Sequence, residues 1–421
     1  VTAVRSHRQT GVGTVLPTLL VAALAVSTAS CQARGDDPPR ADAPKSQGTP
    51  MQPTQSAPTT AVSPAEIPPR LTVNVTRGAA DVAVDTTVAV EVDGGRLTRV
   101  RVTPRRGGPP LAGSLAPGEA AWRASELLEP DTTYQVEAHA VSKTGERAAK
   151  TVEFRTVALT LDEQTYPAFT PVDGATVGVG MPAIVHFDVP VTDRASIEAR
   201  LDVTSTPRVE GSWHWVNDNE VHWRPKRLWP VGAEVHVTAD INGVDAGNGI
   251  YGQHDRSSSF TVGDSIISKV NVATHQMRVF RNGTLARTIP ITAGKPGFET
   301  RSGTKIIVEK VRTKQMDAAT IGIERDDPEY YNIPDVQFAM RVTYTGEFLH
   351  AAPWSVSDQG RANVSHGCIG MSLDNARWLY EQSHPGDLVK VTGTERQLEY
   401  GNGWTDWNVS FKEYKAGSAL S

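Results

Sequence analysis

The sequence predicts a mainly β chain of several domains: two β-sandwiches, then a β-rich domain with one short helix, then a small C-terminal subdomain. Three observations carry that expectation. Apolar residues alternate with polar ones at a period of two, as in Leu71, Val73 and Val75, which is the pattern of half-buried strands. Turn signals such as Asp93-Gly94-Gly95 and Asn282-Gly283 separate the runs. The segment Leu128 to Val136, built around Pro130, is followed one hundred positions later by a similar one from Pro230 to Val237, a repeat on the scale of a domain. A length of 421 residues suits roughly three domains.

At the N-terminal end Arg5 and Arg8 precede an apolar run from Val15 to Val26, then the small residues Ser27-Thr28-Ala29-Ser30 and Cys31. This pattern predicts a signal peptide over residues 1–30, too short for a membrane span. Small residues before a cysteine resemble a bacterial lipobox, in which the cysteine is lipid-modified; Thr28 stands where leucine or valine is usual. Ordinary cleavage near Ala29 is the alternative. Either way the chain is expected to be exported, and a lipid on Cys31 would anchor it to the outer face of the cell membrane, acting in the wall. Residues 31–69 hold nine prolines and no aromatic residue. Such a stretch buries too little apolar surface to order itself, so it is expected to be a tether.

Residues 70–157 and 158–263 are expected to form immunoglobulin-like sandwiches without the usual cysteines. In the first, Val88, Val90 and Val92 run through Asp93-Gly94-Gly95 into Leu97, Val100 and Val102, a hairpin signal, and Val152 to Thr156 supplies a closing strand. In the second, Phe260-Thr-Val262 repeats that closing strand. Trp213, Trp215, Trp223 and Trp229 lie near His214, His222 and His236. Packing explains them better than a metal site, because no carboxylate or cysteine in the pattern completes a ligand set. Asp245 to Gly249 is better explained as a glycine-rich turn than as a cation loop.

Residues 264–393 continue the β pattern, with a hairpin about Asn282-Gly283, strands at Thr304 to Val308 and Leu388 to Val391, and a helix from Arg377 to Gln382 with Ser372 and Asp374 as caps. The tail, 394–421, carries Trp404, Trp407 and Tyr414 and is expected to dock on the preceding domain. A net charge of −5 offers no polybasic field, which argues against nucleic acid as a partner. Two cysteines exclude a disulfide framework.

Cys368 lies in Ser365-His366-Gly367-Cys368, ahead of the expected helix, whose amides would favour a thiolate. His350 lies eighteen positions upstream, at the end of the strand Gly346-Glu-Phe-Leu349. A cysteine nucleophile needs a base to take its proton and return it to a leaving amine, and imidazole titrates in the right range. Gly367 lets an acyl group approach the backbone closely, so that neighbouring N–H groups face a developing oxyanion. Inert packing of the cysteine is the bland alternative. A zinc site from His350, His366 and Cys368 lacks an evident fourth ligand, and no metal or other cofactor is expected.

His350-Ala351-Ala352-Pro353-Trp354 followed by Ser365-His-Gly-Cys368 resembles the motif of the L,D-transpeptidases, whose YkuD catalytic domain cross-links bacterial peptidoglycan. The actinobacterial members are similar over nearly the whole chain: lipoprotein signal, two immunoglobulin-like domains, catalytic domain and tryptophan-bearing tail. Ser365 and His366 are expected to shape the wall of the site. The resemblance implies Cys368 as nucleophile and His350 as base, with the backbone after His350 and the groups at His366, Gly367 and Cys368 orienting the base and cradling the oxyanion. It also implies a lid over the donor pocket containing Met316 and Tyr331 or Tyr330, with Trp354, Ser365 and Gly370 facing the stem peptide. Its implied partners are donor and acceptor stem peptides and carbapenem-type inhibitors. A cysteine carboxypeptidase or stem-peptide hydrolase would use the same pair, and a non-catalytic wall-binding lipoprotein would need neither residue. Two positions depart from the family pattern. Ala351 replaces a frequent serine. Gly370 replaces an asparagine, trading a polar side chain for flexible backbone, from which slower acylation is expected.

Overall fold

The computed structural model describes residues 67–421. The expected signal peptide, nearly all of the tether and Cys31 lie outside the described residues.

The first sandwich pairs Arg70–Val73, Ala89–Asp93, Ala121–Ala124 and Gly113–Leu115 in one sheet, and Gly95–Pro104, Thr133–Ser142 and Arg147–Arg155 in the other. Alternate residues point inward, so Val90, Leu97, Val136 and Phe154 meet in one core. The hairpin expected at Asp93-Gly94-Gly95 does not form, because the two strands it joins belong to different sheets. Here the chain crosses from one layer to the next. A Cβ on Gly95 would come within 2.5 Å of the Val141 carbonyl oxygen, so this crossing needs a glycine for space.

The second sandwich sets Ala175–Val177, Arg256–Val262, Glu234–Ala239 and Leu201–Thr206 against Gly211–Asn217, Glu220–Pro225, Ala183–Phe187 and Pro167–Thr170. Its tryptophans are core residues: Trp213 and Trp223 are cross-strand partners, and Trp223 stacks on Trp229 at 5.3 Å. Asp245 caps its own turn by accepting from the Gly247 N–H at 2.7 Å. The apolar cluster does not stop at the sandwich. It runs on through Ile306, Leu388 and Trp404, so the second sandwich and the following domain share a core.

That following domain has a five-stranded sheet, Thr284–Pro290, Gln276–Arg281, Ile266–Asn271, Leu388–Thr392 and Gly303–Ile306, and a four-stranded one, Glu309–Asp317, Asn332–Arg341, Phe348–Ala351 and Ile369–Met371. The Asn282-Gly283 hairpin is present, both residues having the positive φ that such a tight turn needs. The helix spans Leu373–Gln382, one turn longer than expected, because the Ser372 hydroxyl accepts from the Asn375 N–H and caps it there. Its buried residues Ala376 and Leu379 face the domain core.

The tail joins two domains rather than docking on one. Toward the catalytic side, the Asn402 carboxamide oxygen accepts from the Thr345 N–H at 3.0 Å and Glu399 pairs with Arg301 at 2.6 Å. Toward the second sandwich, Trp407 donates to the Gly180 carbonyl at 2.7 Å, and Arg224 lies over the rings of Trp407 and Tyr414. Buried His222 stands between two carboxylates, Asp406 at 2.9 Å and Glu220 at 2.6 Å. Both partners accept, so both ring nitrogens carry protons. Burial works against that charge, but Asp406 and Glu220 prevail and push the pKa up to about 9. A raised folded pKa contributes stability that is complete below the unfolded value near 6.5 and lost as pH rises through about 9. The His222→Gln variant should therefore be less stable than the parent by about 3–5 kcal/mol in mild acid. That gap should narrow as pH passes about 9, measured by denaturant unfolding across pH. A gap independent of pH would contradict this account.

Candidate active site

The strands Phe348–Ala351 and Ile369–Met371 run parallel, with Leu349 opposite Ile369 and His350 opposite Gly370. Cys368 is the residue before the second strand, level with Phe348, so the register of a short parallel pair puts it on the same face as His350, and both line one cavity. The intervening loop is pinned from behind. Thr300 Oγ1 donates to the Gly367 carbonyl at 2.8 Å, and the Ser365 N–H donates to the Ala293 carbonyl at 3.0 Å. Gly367 has φ +119°, which side chains rarely adopt. Its N–H donates to Ser365 Oγ at 3.1 Å, and Ser365 Oγ donates to the Cys368 carbonyl at 2.6 Å. The Gly367 N–H expected to face an oxyanion is thus engaged within the turn, and Gly367 contributes its backbone shape.

His350 is buried, and its Nδ1 lies 2.8 Å from the Ala351 carbonyl oxygen. A carbonyl only accepts, so Nδ1 holds the proton and Nε2 is left as an acceptor. The Ala351 side chain plays no part in this, which is why alanine serves in place of serine. Burial lowers the His350 pKa, with the Ala351 carbonyl opposing. Burial likewise pushes the Cys368 thiol up to about 12, while the Phe348 N–H acts the other way. The thiol contacts the Gly346 carbonyl oxygen at 3.5 Å. The expected help from the helix start is missing, because the strand Ile369–Met371 separates Cys368 from Leu373. At rest the pair is a neutral thiol and a neutral imidazole.

His350, Cys368, His366, Ser365, Gly370, Trp354, Met316 and Tyr331 line one cavity of about 210 Å³. Of the two tyrosines, Tyr331 is the one at the site. Met316 packs with Cys368 and Tyr331 lies against the same cluster; burial, then the neighbouring Cys368, push the tyrosine pKa up to about 12. A second opening, about 200 Å³ and lined by Lys314, Asp317, Tyr344 and Phe348, reaches the same cysteine past Met316 and Tyr331. The imidazole of His366 is not turned to His350. Its Nε2 is 2.8 Å from Glu329, and its ring packs on Phe298 and Tyr331. The His366 ring therefore ties the covering segment to the cysteine turn while lining the cavity, and the base His350 is oriented by the backbone after it, through the Ala351 carbonyl.

Gly370 also differs from expectation. Its N–H donates to the Thr292 carbonyl and its carbonyl accepts from the Thr292 N–H, each at 2.9 Å, which locks it in sheet pairing. Sequence reasoning missed Thr292, Ile333 and Val364 in the cavity wall, and a buried cluster behind the cysteine, Arg301, Lys305 and Glu347. The cluster did have a signal: Lys305 and Glu347 are charges inside otherwise apolar strand runs.

A buried cysteine and a tautomer-locked histidine lining one cavity, following immunoglobulin-like sandwiches, are the parts of a cysteine enzyme that works through an acyl thioester. The L,D-transpeptidase catalytic domain, YkuD, matches residues 265–391, and a bacterial Ig domain matches residues 79–245. L,D-transpeptidase 2 of Mycobacterium tuberculosis is 36% identical over 352 residues, spanning 83% of this chain and 85% of that protein. L,D-transpeptidase 5 of the same species is 35% identical over 361 residues, spanning 84% of this chain and 77% of that protein. An LD transpeptidase solved in complex with imipenem is 38% identical, covering 54% of this chain and 99% of that one, with a TM-score of 0.48. The chain belongs to the L,D-transpeptidase family. It cross-links peptidoglycan stem peptides through a cysteine thioester, with release of terminal D-alanine.

A Cβ at Gly370 would lie 2.9 Å from Ala352 Cβ and 3.0 Å from Thr292 Cγ2. Gly370→Ala should therefore destabilise the domain by about 1–3 kcal/mol through overpacking, and Ala352→Gly in the same chain should recover most of it. Denaturant unfolding of the parent and these two variants checks this; a Gly370→Ala chain as stable as the parent contradicts it.

Proposed function

We propose that Cys368 attacks the carbonyl joining the third residue of a tetrapeptide stem, at its L-centre, to the terminal D-alanine, and that His350 handles the protons of both half-reactions. The observation that supports this most is a single cavity wall carrying the cysteine and an imidazole with Nε2 left as acceptor. In the first half-reaction Nε2 takes the thiol proton as sulfur bonds to carbon. The C–N bond then breaks, and D-alanine leaves with that proton on its amine. In the second, an acceptor amine gives its proton to Nε2 and attacks the thioester, and the proton returns to sulfur. A neutral resting pair suits a thiol that is ionised only as the substrate arrives.

Two openings onto one sulfur suit a reaction with a donor and an acceptor. Trp354, half exposed, stacks on His350 with ring centroids 5.9 Å apart and offers an apolar rim to the stem. We assign Met316, Tyr331, Ser365 and Gly370 to the donor wall. A carbapenem carbonyl would be attacked by the same thiol. Export and lipid anchoring at Cys31 complete the proposal, since the substrate lies outside the membrane.

Cys368→Ala and His350→Ala should each abolish acylation with the fold intact, seen as loss of the mass increase when the soluble chain meets a stem donor or a carbapenem. Full acylation of either folded variant sinks the assignment. Because the His350 pKa is lowered from 6.5, the acylation rate should hold from neutral pH down to about 6.5 and decline only below it. A fall that begins above 6.5 would contradict a base with a lowered pKa. Separately, Cys31→Ala should move the mature protein from membranes to the soluble fraction, because acyl chains supply the anchoring. Unchanged partitioning would overturn the lipid anchor.

A further inference from the structure

Lys305 is wholly buried, and Glu347 and Arg301 are nearly so. Glu347 joins them: one carboxylate oxygen accepts from the Arg301 main-chain N–H at 3.0 Å and from its guanidinium at 3.1 Å, and the other accepts from the Lys305 ammonium. Arg301 also reaches Glu399. Burying three charges, Lys305 on the strand Gly303–Ile306, Arg301 just before it and Glu347 just before the strand Phe348–Ala351, costs more than packing the same space with apolar side chains. Their place in the fold gives them something to act on.

Glu347 sits between Gly346, whose carbonyl contacts the Cys368 sulfur at 3.5 Å, and Phe348, whose N–H acts on that sulfur. Its Cγ lies 3.6 Å from where a Cβ on Gly367 would be, directly behind the cysteine turn. Thr300, next to Arg301, holds the Gly367 carbonyl from the same side. The segment 300–305 and the turn 346–348 therefore enclose the back of Cys368. The other ionisable groups around the thiol are His350, Tyr331 and His366, the last paired with Glu329, in the cavity, and Lys314, Asp317, Arg341 and Tyr344 in the second opening. Lys305 and Arg341 favour the thiolate and Glu347 opposes it.

We propose that the Arg301–Glu347–Lys305 cluster positions Cys368 and sets its charge state: Glu347 fixes the turn under the sulfur, and the Lys305 ammonium stabilises the thiolate formed on attack. This rests on Cys368 being the nucleophile. Lys305 is a positioning residue, since it touches no substrate and acts through the cysteine. Glu347 adds to the effect of burial on the thiol and Lys305 offsets part of it, leaving the thiol inert at rest and able to ionise when His350 takes its proton.

The test is the pH dependence of iodoacetamide alkylation of Cys368 in the soluble chain. Lys305→Met leaves Glu347 paired with Arg301 and should raise the alkylation midpoint by roughly half a pH unit or more; Glu347→Gln should lower it by a similar amount. Opposite shifts support the proposal. Unmoved midpoints, or midpoints moving together as stability falls, overturn it, because a merely structural cluster predicts no sign difference. If a single variant does not fold, Lys305→Met with Glu347→Gln removes both charges and should return the midpoint of the single that folds most of the way to the parent's. A double variant shifted as far as that single, or further, also overturns the proposal. The acyl-enzyme mass with a stem donor separates the two levels. Acylation at Cys368 with unmoved midpoints defeats the cluster alone, and opposite shifts without acylation defeat the nucleophile assignment instead.

Discussion

A short parallel strand pairing holds the chemistry of this molecule together. Leu349 pairs with Ile369 and His350 with Gly370, and because side chains alternate, a slip of one residue would turn His350 to the other face. The pairing is too short to hold by itself, and the surroundings hold it. Thr292 bonds Gly370 on its other edge, Thr300 bonds Gly367, and Ser372 starts the helix directly after the strand. Ala352 stands where Gly370 leaves no room for a side chain, so the two positions fit as one.

Electrostatics follow from the same geometry. The site is dry enough to raise the thiol and lower the imidazole, which stores the pair in its neutral form. Ionisation then waits for substrate, which keeps the nucleophile from wasteful reaction. The covering segment shares in this. Met316 packs with the cysteine, and His366 and Glu329 connect that segment to the cysteine turn.

Much of this was legible in the sequence, for physical reasons that differ by residue. His350 and Cys368 were legible as a candidate pair through the motif they share with the L,D-transpeptidases, since the residues alone left inert packing open, and Asn282-Gly283 because its turn has a local backbone requirement. Asp93-Gly94-Gly95 carries the same kind of turn signal, yet whether two flanking strands pair or pass to opposite sheets depends on partners tens of residues away, here Ala121–Ala124 and Thr133–Ser142. The same limit hid the bridge made by the tail. Aromatic residues at 404, 407 and 414 announce docking, while the surfaces they meet are set by tertiary structure. The partners of the His366 ring, Glu329 and Tyr331, were not legible, because a motif does not say which way a ring turns. Lys305 and Glu347 were visible as charges in apolar strands, but only the fold places them behind the sulfur.

The central claim is that this pairing builds a thiol that passes an acyl group from one stem peptide to the amine of another. The most direct measurement offers the purified chain a tetrapeptide stem and an acceptor stem labelled with heavy nitrogen in its side-chain amine, and fragments the products in a mass spectrometer. The account predicts dimers in which the donor's third-residue carbonyl is bonded to the labelled nitrogen, with one D-alanine released per bond and none formed by Cys368→Ala. Dimers joined through the donor's fourth residue, or trimmed stems with no labelled bond, would contradict it.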